Sequence, residues 1–372
     1  MKLCIFGDAQ SVHLQQLAPR LVDAGAMVHV VTHKPASLPG ATVERFKVPP
    51  PSLTNPRRWW ARSRAYLRCF LRDFDVVNVH FLADWGFCRA DGSGLDAEEV
   101  ASACFVASAW GSDVVDPPGE TPACAGLVET RRAMLQAASL VTTCGPRFAE
   151  IVAGYANLSD DAIVVAPFGV DLDLFAAGQS SGGSARPDVV GFFKGFRPVY
   201  GPRCLVRAIP RVLSKMPATR FHFVGDGAQL AECKTLANDL AVGDAVQWSP
   251  RTPHDQLPFI LKNWTLSIIP SIHEAFGVAA LESSAMGVPV VASDVCGLRD
   301  TVQQDVTGLL VPPQDSGRLG DAVTALLTDP TRRARMATAG RAMVESHFDW
   351  RDLARHWIRV YDTARQRRLI MV

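Results

Sequence analysis

Residues 264–293 read WTLSIIPSIHEAFGVAALESSAMGVPVVAS, and this stretch decides the fold. The apolar run Leu266 to Ile269 stops at Pro270 and Ser271, as a buried strand stops at a loop. Glu274 follows, then Phe276-Gly277, then a segment from Val278 to Met286 with the spacing of a helix; Val288 to Ala292 returns as the next strand. The unit is therefore strand, acidic loop, helix, strand, with Glu274 ahead of the helix and Glu282 inside it. Free N–H groups at the start of a helix attract anions, so the amides of Gly277 and Val278 suit a phosphate. Carboxylates accept from sugar hydroxyls, each charge-assisted bond contributing roughly 1.5–3 kcal/mol. Either glutamate alone reads as a surface residue of a βαβ unit. The two together around a Phe-Gly helix start point to a ligand carrying both phosphate and hydroxyls.

Outward from this stretch, the chain repeats the same alternation twice. Lys2 to Phe6 is a short apolar strand, Gly7-Asp8 opens a loop, and Leu14, Leu17, Leu21 and Val22 share one helical face before Gly25. Val28 to Thr32 is the next strand, so the chain starts βαβ, the mark of a doubly wound parallel sheet. Further strands are expected at Asp75 to Phe81, Phe105 to Ala109 and Leu140 to Thr143, with a helix at Arg131 to Ala138. The Ser- and Gly-rich run Gly178 to Pro187 reads as a linker, and a second αβ series starts at Val189. Two domains follow: residues 1–178, joined by a C-terminal helix in 352–372, and residues 188–351. A chain of 372 residues is long enough for two such cores.

Composition narrows the class. Hydrophobic residues are 48% and charged residues 20%, within the range of water-soluble globular chains, and the formal net charge of +1 gives no reason to expect a nucleic-acid partner. Nine cysteines, scattered without a Cys-x-x-Cys or zinc spacing, point to reduced thiols and a cytoplasmic setting. No run approaches the ~18 apolar residues of a membrane span, and the start MKLCIFGDAQ lacks a signal-peptide pattern. The segment Pro56 to Asp73, PRRWWARSRAYLRCFLRD, is basic and aromatic. It reads as a helix packing its aromatic face on the sheet, with peripheral contact at an anionic membrane surface as the other reading.

Candidate contacts lie where parallel sheets bind ligands, at the carboxyl ends of strands. In the first domain these are Gly7, His13 and the turn Trp110-Gly111-Ser112-Asp113. His13 is read equally as an acceptor contact or a water-facing helix residue, and Asp113 as a ligand-edge group or a turn cap. In the second domain the loop KGFRPVYGPR, residues 194–203, offers Lys194, Arg197 and Arg203 around two glycines, a charge pattern that could neutralise a diphosphate leaving group without a metal. Asp171-Leu172-Asp173 spells a metal-site triplet but lies far in sequence from this loop and reads as a strand-end turn. Gly225-x-Gly227 lacks the third glycine of a dinucleotide fingerprint, and so does the loop at Gly7.

With these residues in place, the chain resembles glycosyltransferase family 4. The resemblance rests on SIHEAFGVAALESSAMGVPVVASDVCGLRDTV and TGLLVPP, on GDAQSVHLQQLAPRLVDAGAMVHVVT, FVASAWGSDVV and APFGVDLDLF, and on FHFVGDGAQL and HFDWRDLARHWIRVYD, covering nearly the whole chain. It implies the GT-B fold, two Rossmann-like doubly wound α/β domains facing an interdomain cleft, and a retaining, metal-independent transferase without a cofactor. The donor it implies is a nucleotide-diphosphate sugar, linked to UDP, GDP or ADP, and the acceptor a sugar, a lipid-linked glycan or a small molecule. Glu274 and Glu282 match the family's Glu-x7-Glu motif. By resemblance, Glu274 contacts the transferred sugar, Glu282 holds the ribose, the backbone of Phe276, Gly277 and Val278 lies near sugar and phosphates, and Lys194 and Arg197 stand near the diphosphate-binding cations. Gly7 joins the donor contacts, and base selection is expected near Gln247 to Arg251. The chain departs from the family at Val199-Tyr200-Gly201, where many members place a lysine, at Trp110, where many carry a histidine, and at Cys296 to Asp300, where a Gly-Gly-x-x-Glu turn is usual. A phosphorylase or epimerase on the same fold, and a non-catalytic scaffold, are the alternatives.

Overall fold

A computed structural model describes residues 1–34, 36–45, 71–81, 103–116, 125–176 and 187–371. Most of the Arg/Trp segment (56–70), the loop 91–96 and the linker up to residue 186 lie outside the described residues. The chain divides into two compact units, one of residues 1–116, 120–168 and 350–372, the other of residues 117–119 and 169–349.

The first unit contains β1 (Lys2–Phe6), α1 (Val12–Asp23), β2 (Met27–Thr32), β3 (Thr42–Arg45), β4 (Val76–His80), β5 (Phe105–Ala109), α2 (Ala125–Ala137), β6 (Leu140–Thr143), α3 (Pro146–Ala156) and β7 (Ile163–Val165). Its strands form one parallel sheet in the order β3-β2-β1-β4-β5-β6-β7. The strands β1, β4, β5 and β6 are buried nearly throughout, which is why they read as continuous apolar runs rather than alternating ones. Helix α1 starts where Ser11 accepts from the Leu14 amide at 3.2 Å and buries Leu14, Leu17, Ala18 and Leu21, the face expected from spacing. Helix α2 begins earlier than its periodicity suggested, at Ala125.

The second unit contains β8 (Val189–Phe192), α4 (Pro202–Leu213), β9 (Arg220–Val224), α5 (Leu230–Asp239), β10 (Val246–Ser249), α6 (Leu257–Leu261), β11 (Leu266–Ile269), α7 (Val278–Ala285), β12 (Val290–Ser293), α8 (Leu298–Thr301), β13 (Gly308–Val311), α9 (Ser316–Leu327) and α10 (Pro330–His347). Its parallel sheet runs β10-β9-β8-β11-β12-β13. The stretch 264–293 thus folds as strand, loop, helix, strand, with Met286 as the residue closing α7. On one face of this sheet the core gathers Phe192, Phe196, Ile209, Val212, Phe221, Phe223, Ile268 and Val323, while the alternate strand residues Ile269, Val290 and Ala292 pack with Ala280, Leu298 and Val302 in a second cluster. Each such large side chain contributes about 1.5–3 kcal/mol by leaving water. Asp315 and Asp329 cap α9 and α10, each accepting from a backbone amide at 2.8 Å.

The final helix, α11 (Trp350–Met371), belongs to the first unit, where it packs on α1, β4 and β5. Trp357 and Tyr361 are fully buried there. A polar network runs beneath them: Asn78 accepts the Tyr361 hydroxyl at 3.0 Å and donates to Ser108 at 2.8 Å and to the Val106 carbonyl at 3.0 Å. Such a buried amide is stable only when both its ends are satisfied. Among the described residues, no helix is long and apolar enough to cross a membrane.

Candidate functional site

In the second sheet the strand order reverses between β8 and β11, where the chain steps from the first strand to the fourth. Open α/β sheets bind ligands at this switch, outside the carboxyl ends of the two strands. The loop after β8 carries Lys194 and Arg197, and the loop after β11 carries Glu274. Residues eighty positions apart therefore meet: Lys194 Nζ donates to Glu274 Oε2, in an ion pair whose side chains are 12% and 15% exposed. Ser271 Oγ donates to the same oxygen at 3.0 Å. The loops are also joined through the backbone, Ile272 N–H donating to the Val199 carbonyl at 2.7 Å.

A third loop closes on Glu274 from behind. Gly297 N–H donates to the Glu274 carbonyl at 2.9 Å, and a Cβ at residue 297 would stand 2.2 Å from the Phe276 nitrogen. The turn Cys296 to Asp300, though it departs from the family's usual spelling, therefore keeps a glycine where backbone meets backbone. Gly277 adopts φ 101°, left-handed backbone that suits glycine, and it starts α7 without a side-chain cap. The Ala280 amide donates to the Gly277 carbonyl at 2.9 Å, and those of Val278 and Ala279 are left for a ligand. Phe276 is 4% exposed and packs edge-on against Phe348, so it contributes backbone rather than ring to this site.

Tyr200 stands among the cations. Its ring centroid is 4.4 Å from Lys194 Nζ and 5.8 Å from Arg197 Cζ, close enough for the ring's negative face to hold both. Arg203 pairs with Glu232 at 2.9 Å. Burial pushes the His273 imidazole below its ordinary value, against the pull of the neighbouring Glu274 carboxylate. This keeps a neutral side chain next to Glu274.

Glu282 lies one turn into α7 and is 7% exposed. Its Oε1 is 2.6 Å from Nε2 of His254, a residue from the loop after β10. Arg251, in the same loop, is exposed and unpaired among the described residues. The structure thus joins Glu274, Lys194, Arg197 and the helix start, and it places Glu282 on the same helix with a partner the sequence did not indicate. Ser271, Tyr200 and His254 were missed. None lies in a recognisable spacing, and only the sheet order brings them in.

The first unit gathers its candidates separately, at its own switch between β1 and β4. Gly7 sits 3.5 Å, by a Cβ built on it, from the Cβ of His80. His13 stacks on Phe168 at 3.9 Å, Trp110 meets Phe168 edge-on at 4.8 Å, and His80 lies 4.3 Å from Trp110. His13 is therefore packed in an aromatic cluster rather than projecting into water. Asp113 is fully buried and accepts from the amides of Trp110 and Gly111 at 3.0 and 2.8 Å. It acts as a turn cap, one of the two readings the sequence allowed, and it holds the backbone of Trp110 and Gly111. His80 is 1% exposed, and burial, with the charge of His13 adding to it, pushes its imidazole down to about 3.

Two sequence signals have structural explanations. Asp171 accepts from the amides of Asp173 and Leu174 at 3.1 and 3.2 Å, an Asx turn. Gly225 and Gly227 face the backbone of Lys194 and Phe196, where a Cβ would come within 2.3 and 2.8 Å of a carbonyl oxygen. Their pattern serves loop packing.

Comparison with known proteins places this geometry. Residues 179–343 match the model of "Glycosyl transferases group 1", and residues 10–174 match that of "Glycosyltransferase Family 4". A D-inositol 3-phosphate glycosyltransferase of Kribbella flavida is 30% identical over 404 aligned positions, covering 96% of this chain and 92% of the relative. Among solved structures, the sucrose-phosphate synthase of Thermosynechococcus elongatus superposes with a TM-score of 0.78 at 21% identity, covering 97% and 98% of the two chains. An Anabaena protein, Alr3699/HepE, solved in complex with UDP-glucose, gives 0.75 at 19% identity, covering 98% and 100%. The architecture is GT-B.

Proposed function

Since the chain belongs to glycosyltransferase family 4, the group 1 glycosyl transferases, and is itself a glycosyltransferase, we propose that it moves a sugar from a nucleotide-diphosphate sugar to an acceptor hydroxyl with retention. One observation carries the reading. Lys194, Arg197 and Glu274 come together on the two loops at the switch point, beside the uncapped start of α7. A cationic and amide-lined corner next to a carboxylate matches the two halves of such a donor, diphosphate on one side and sugar hydroxyls on the other. That a GT-B neighbour was solved with UDP-glucose supports the donor class.

In this reading the bond between the anomeric carbon and the diphosphate oxygen breaks, and its electron pair goes to the diphosphate. Lys194, Arg197 and the α7 amides stabilise that charge as it develops, a contribution worth about 10²–10³ in rate for a single well-placed donor. The acceptor oxygen attacks on the face the diphosphate leaves, and its proton passes to the departing phosphate oxygen. Glu274 accepts from the sugar's hydroxyls, and Glu282 from those of the ribose. No step calls on a metal. Nucleotide sugars are made in the cytoplasm, and we place the enzyme there; the six free thiols among the described residues support this.

The test is turnover of UDP-, GDP- and ADP-sugars by Glu274→Gln, with and without EDTA. We expect turnover to fall well over tenfold, a barrier increase of more than ~1.4 kcal/mol, and EDTA to leave the wild type active. Near-normal turnover in the variant would remove Glu274 from the site.

A further inference from the structure

Glu282 is held by His254. The carboxylate only accepts hydrogen bonds, so the imidazole nitrogen facing it, Nε2, carries the hydrogen of the 2.6 Å contact. The Glu282 side chain is 9% exposed and that of His254 21%, so little water competes for the bond. Oε1 takes the histidine, and Oε2 has no hydrogen-bond partner among the described residues.

His254 is itself braced. The ring of Phe175, fully buried, lies 5.2 Å from its imidazole. Arg341 then ties Phe175 to α7: its Nη1 donates at 2.6 Å both to the Phe175 carbonyl and to the carbonyl of Ala285. Ala285 ends the helix on which Glu282 sits. Histidine, phenylalanine, arginine and helix form one closed ring of contacts, and a carboxylate held in such a ring is ordered before any ligand arrives. A glutamate side chain left to itself must lose rotamer freedom when it binds.

We propose that His254 is a positioning residue for the donor nucleotide: by occupying Oε1 of Glu282 it presents Oε2 to the ribose hydroxyls. The proposal rests on the reading of Glu282 as the ribose carboxylate. It makes the nucleotide site selective for ribose over a sugar lacking the 2′- and 3′-hydroxyls, through a residue that need not touch the ligand.

The experiment is calorimetric titration of the full chain with UDP, GDP and ADP, followed by the tightest of them against its 2′,3′-dideoxy counterpart. In His254→Leu the ribonucleotide should bind about tenfold more weakly, a change of ~1.4 kcal/mol, while the dideoxy form is nearly unaffected. His254→Gln places an amide N–H near the position of Nε2 and should restore most of the ratio. His254→Asn, too short to reach, should not restore it. Glu282→Ala is run in parallel and should abolish the ratio. Equal weakening of both nucleotides in His254→Leu, or an unchanged ratio there while Glu282→Ala loses it, overturns the role of His254 and leaves that of Glu282 standing. A ratio that survives Glu282→Ala, or no binding of any of the three nucleotides, overturns the ribose reading and the proposal with it.

Discussion

Gly297→Ala should disable the enzyme while leaving it folded, because the new methyl group has nowhere to go. A Cβ at this position lies 2.2 Å from the Phe276 nitrogen, and 2.3 and 2.4 Å from the carbonyl carbon and oxygen of Ala275. Ordinary contact begins near 3.4 Å, and all three atoms are backbone, so no side chain can swing aside. Gly297 has φ −70°, open to any residue, and the penalty is purely steric. The loop 274–276 must retreat by roughly 1 Å, a misplacement that costs on the order of 10²-fold in rate when it moves catalytic groups. That retreat also strains the bond from the Gly297 amide to the Glu274 carbonyl, and it shifts the start of α7. Overpacking of this kind costs about 1–3 kcal/mol in stability. The assay is single-turnover transfer from the preferred nucleotide sugar, with circular dichroism and thermal melting on the same sample. Gly154→Ala serves as control: a helical glycine of α3 with nothing within 4 Å of the added carbon, it should gain about 0.5–1 kcal/mol. A folded Gly297→Ala protein with turnover within threefold of wild type would refute the account of how Glu274 is held.

Two further outcomes are expected. Tyr200→Leu removes the ring beneath Lys194 and Arg197, at about 0.5–1 kcal/mol per cation. Titration should show weakened affinity for the nucleoside diphosphate and little change for the nucleoside, with Tyr200→Phe close to wild type; equal losses for both would discount the ring. His80, with its imidazole pushed down to about 3 by burial, is held neutral in the fold. Above its ordinary value of about 6.5 neither folded nor unfolded chain binds the proton, and nothing is lost. Below that, only the unfolded chain takes it up, so stability falls by about 1.4 kcal/mol per pH unit until about pH 3. Urea unfolding of His80→Leu between pH 7 and 4.5 should show a shallower decline than wild type, and parallel curves would contradict this assignment.

The alternation of strands and helices was legible because it is local. Apolar runs ended by Pro270 or Gly7, and a helical face such as Leu14, Leu17, Leu21 and Val22, are written within a few residues of each other. Glu274 and Glu282 were legible for the same reason, since both flank one helix start. Lys194 was visible as a basic loop, but its pairing with Glu274 depends on β8 lying beside β11, and no local spacing states that order. His254 was invisible on the same grounds, standing 28 residues from the carboxylate it meets. Asp113 shows the opposite limit. Its place in a Gly-Ser-Asp turn was plain, yet only the hydrogen bonds to Trp110 and Gly111 separate a cap from a ligand contact.

The shared amide of Asn78 and Tyr361 carries a consequence for how the molecule is made. The two residues are 283 positions apart. At 5–20 residues per second, synthesis takes roughly 15–60 s to pass from one to the other. Through that interval the first sheet lacks the indole of Trp357 and the phenol of Tyr361, and the amide of Asn78 lacks one of its bonds. The second unit, apart from residues 117–119, is a continuous run of chain to residue 349, complete on the ribosome before the first. Nascent chains generally fold from the front. This one must finish its middle while its beginning waits.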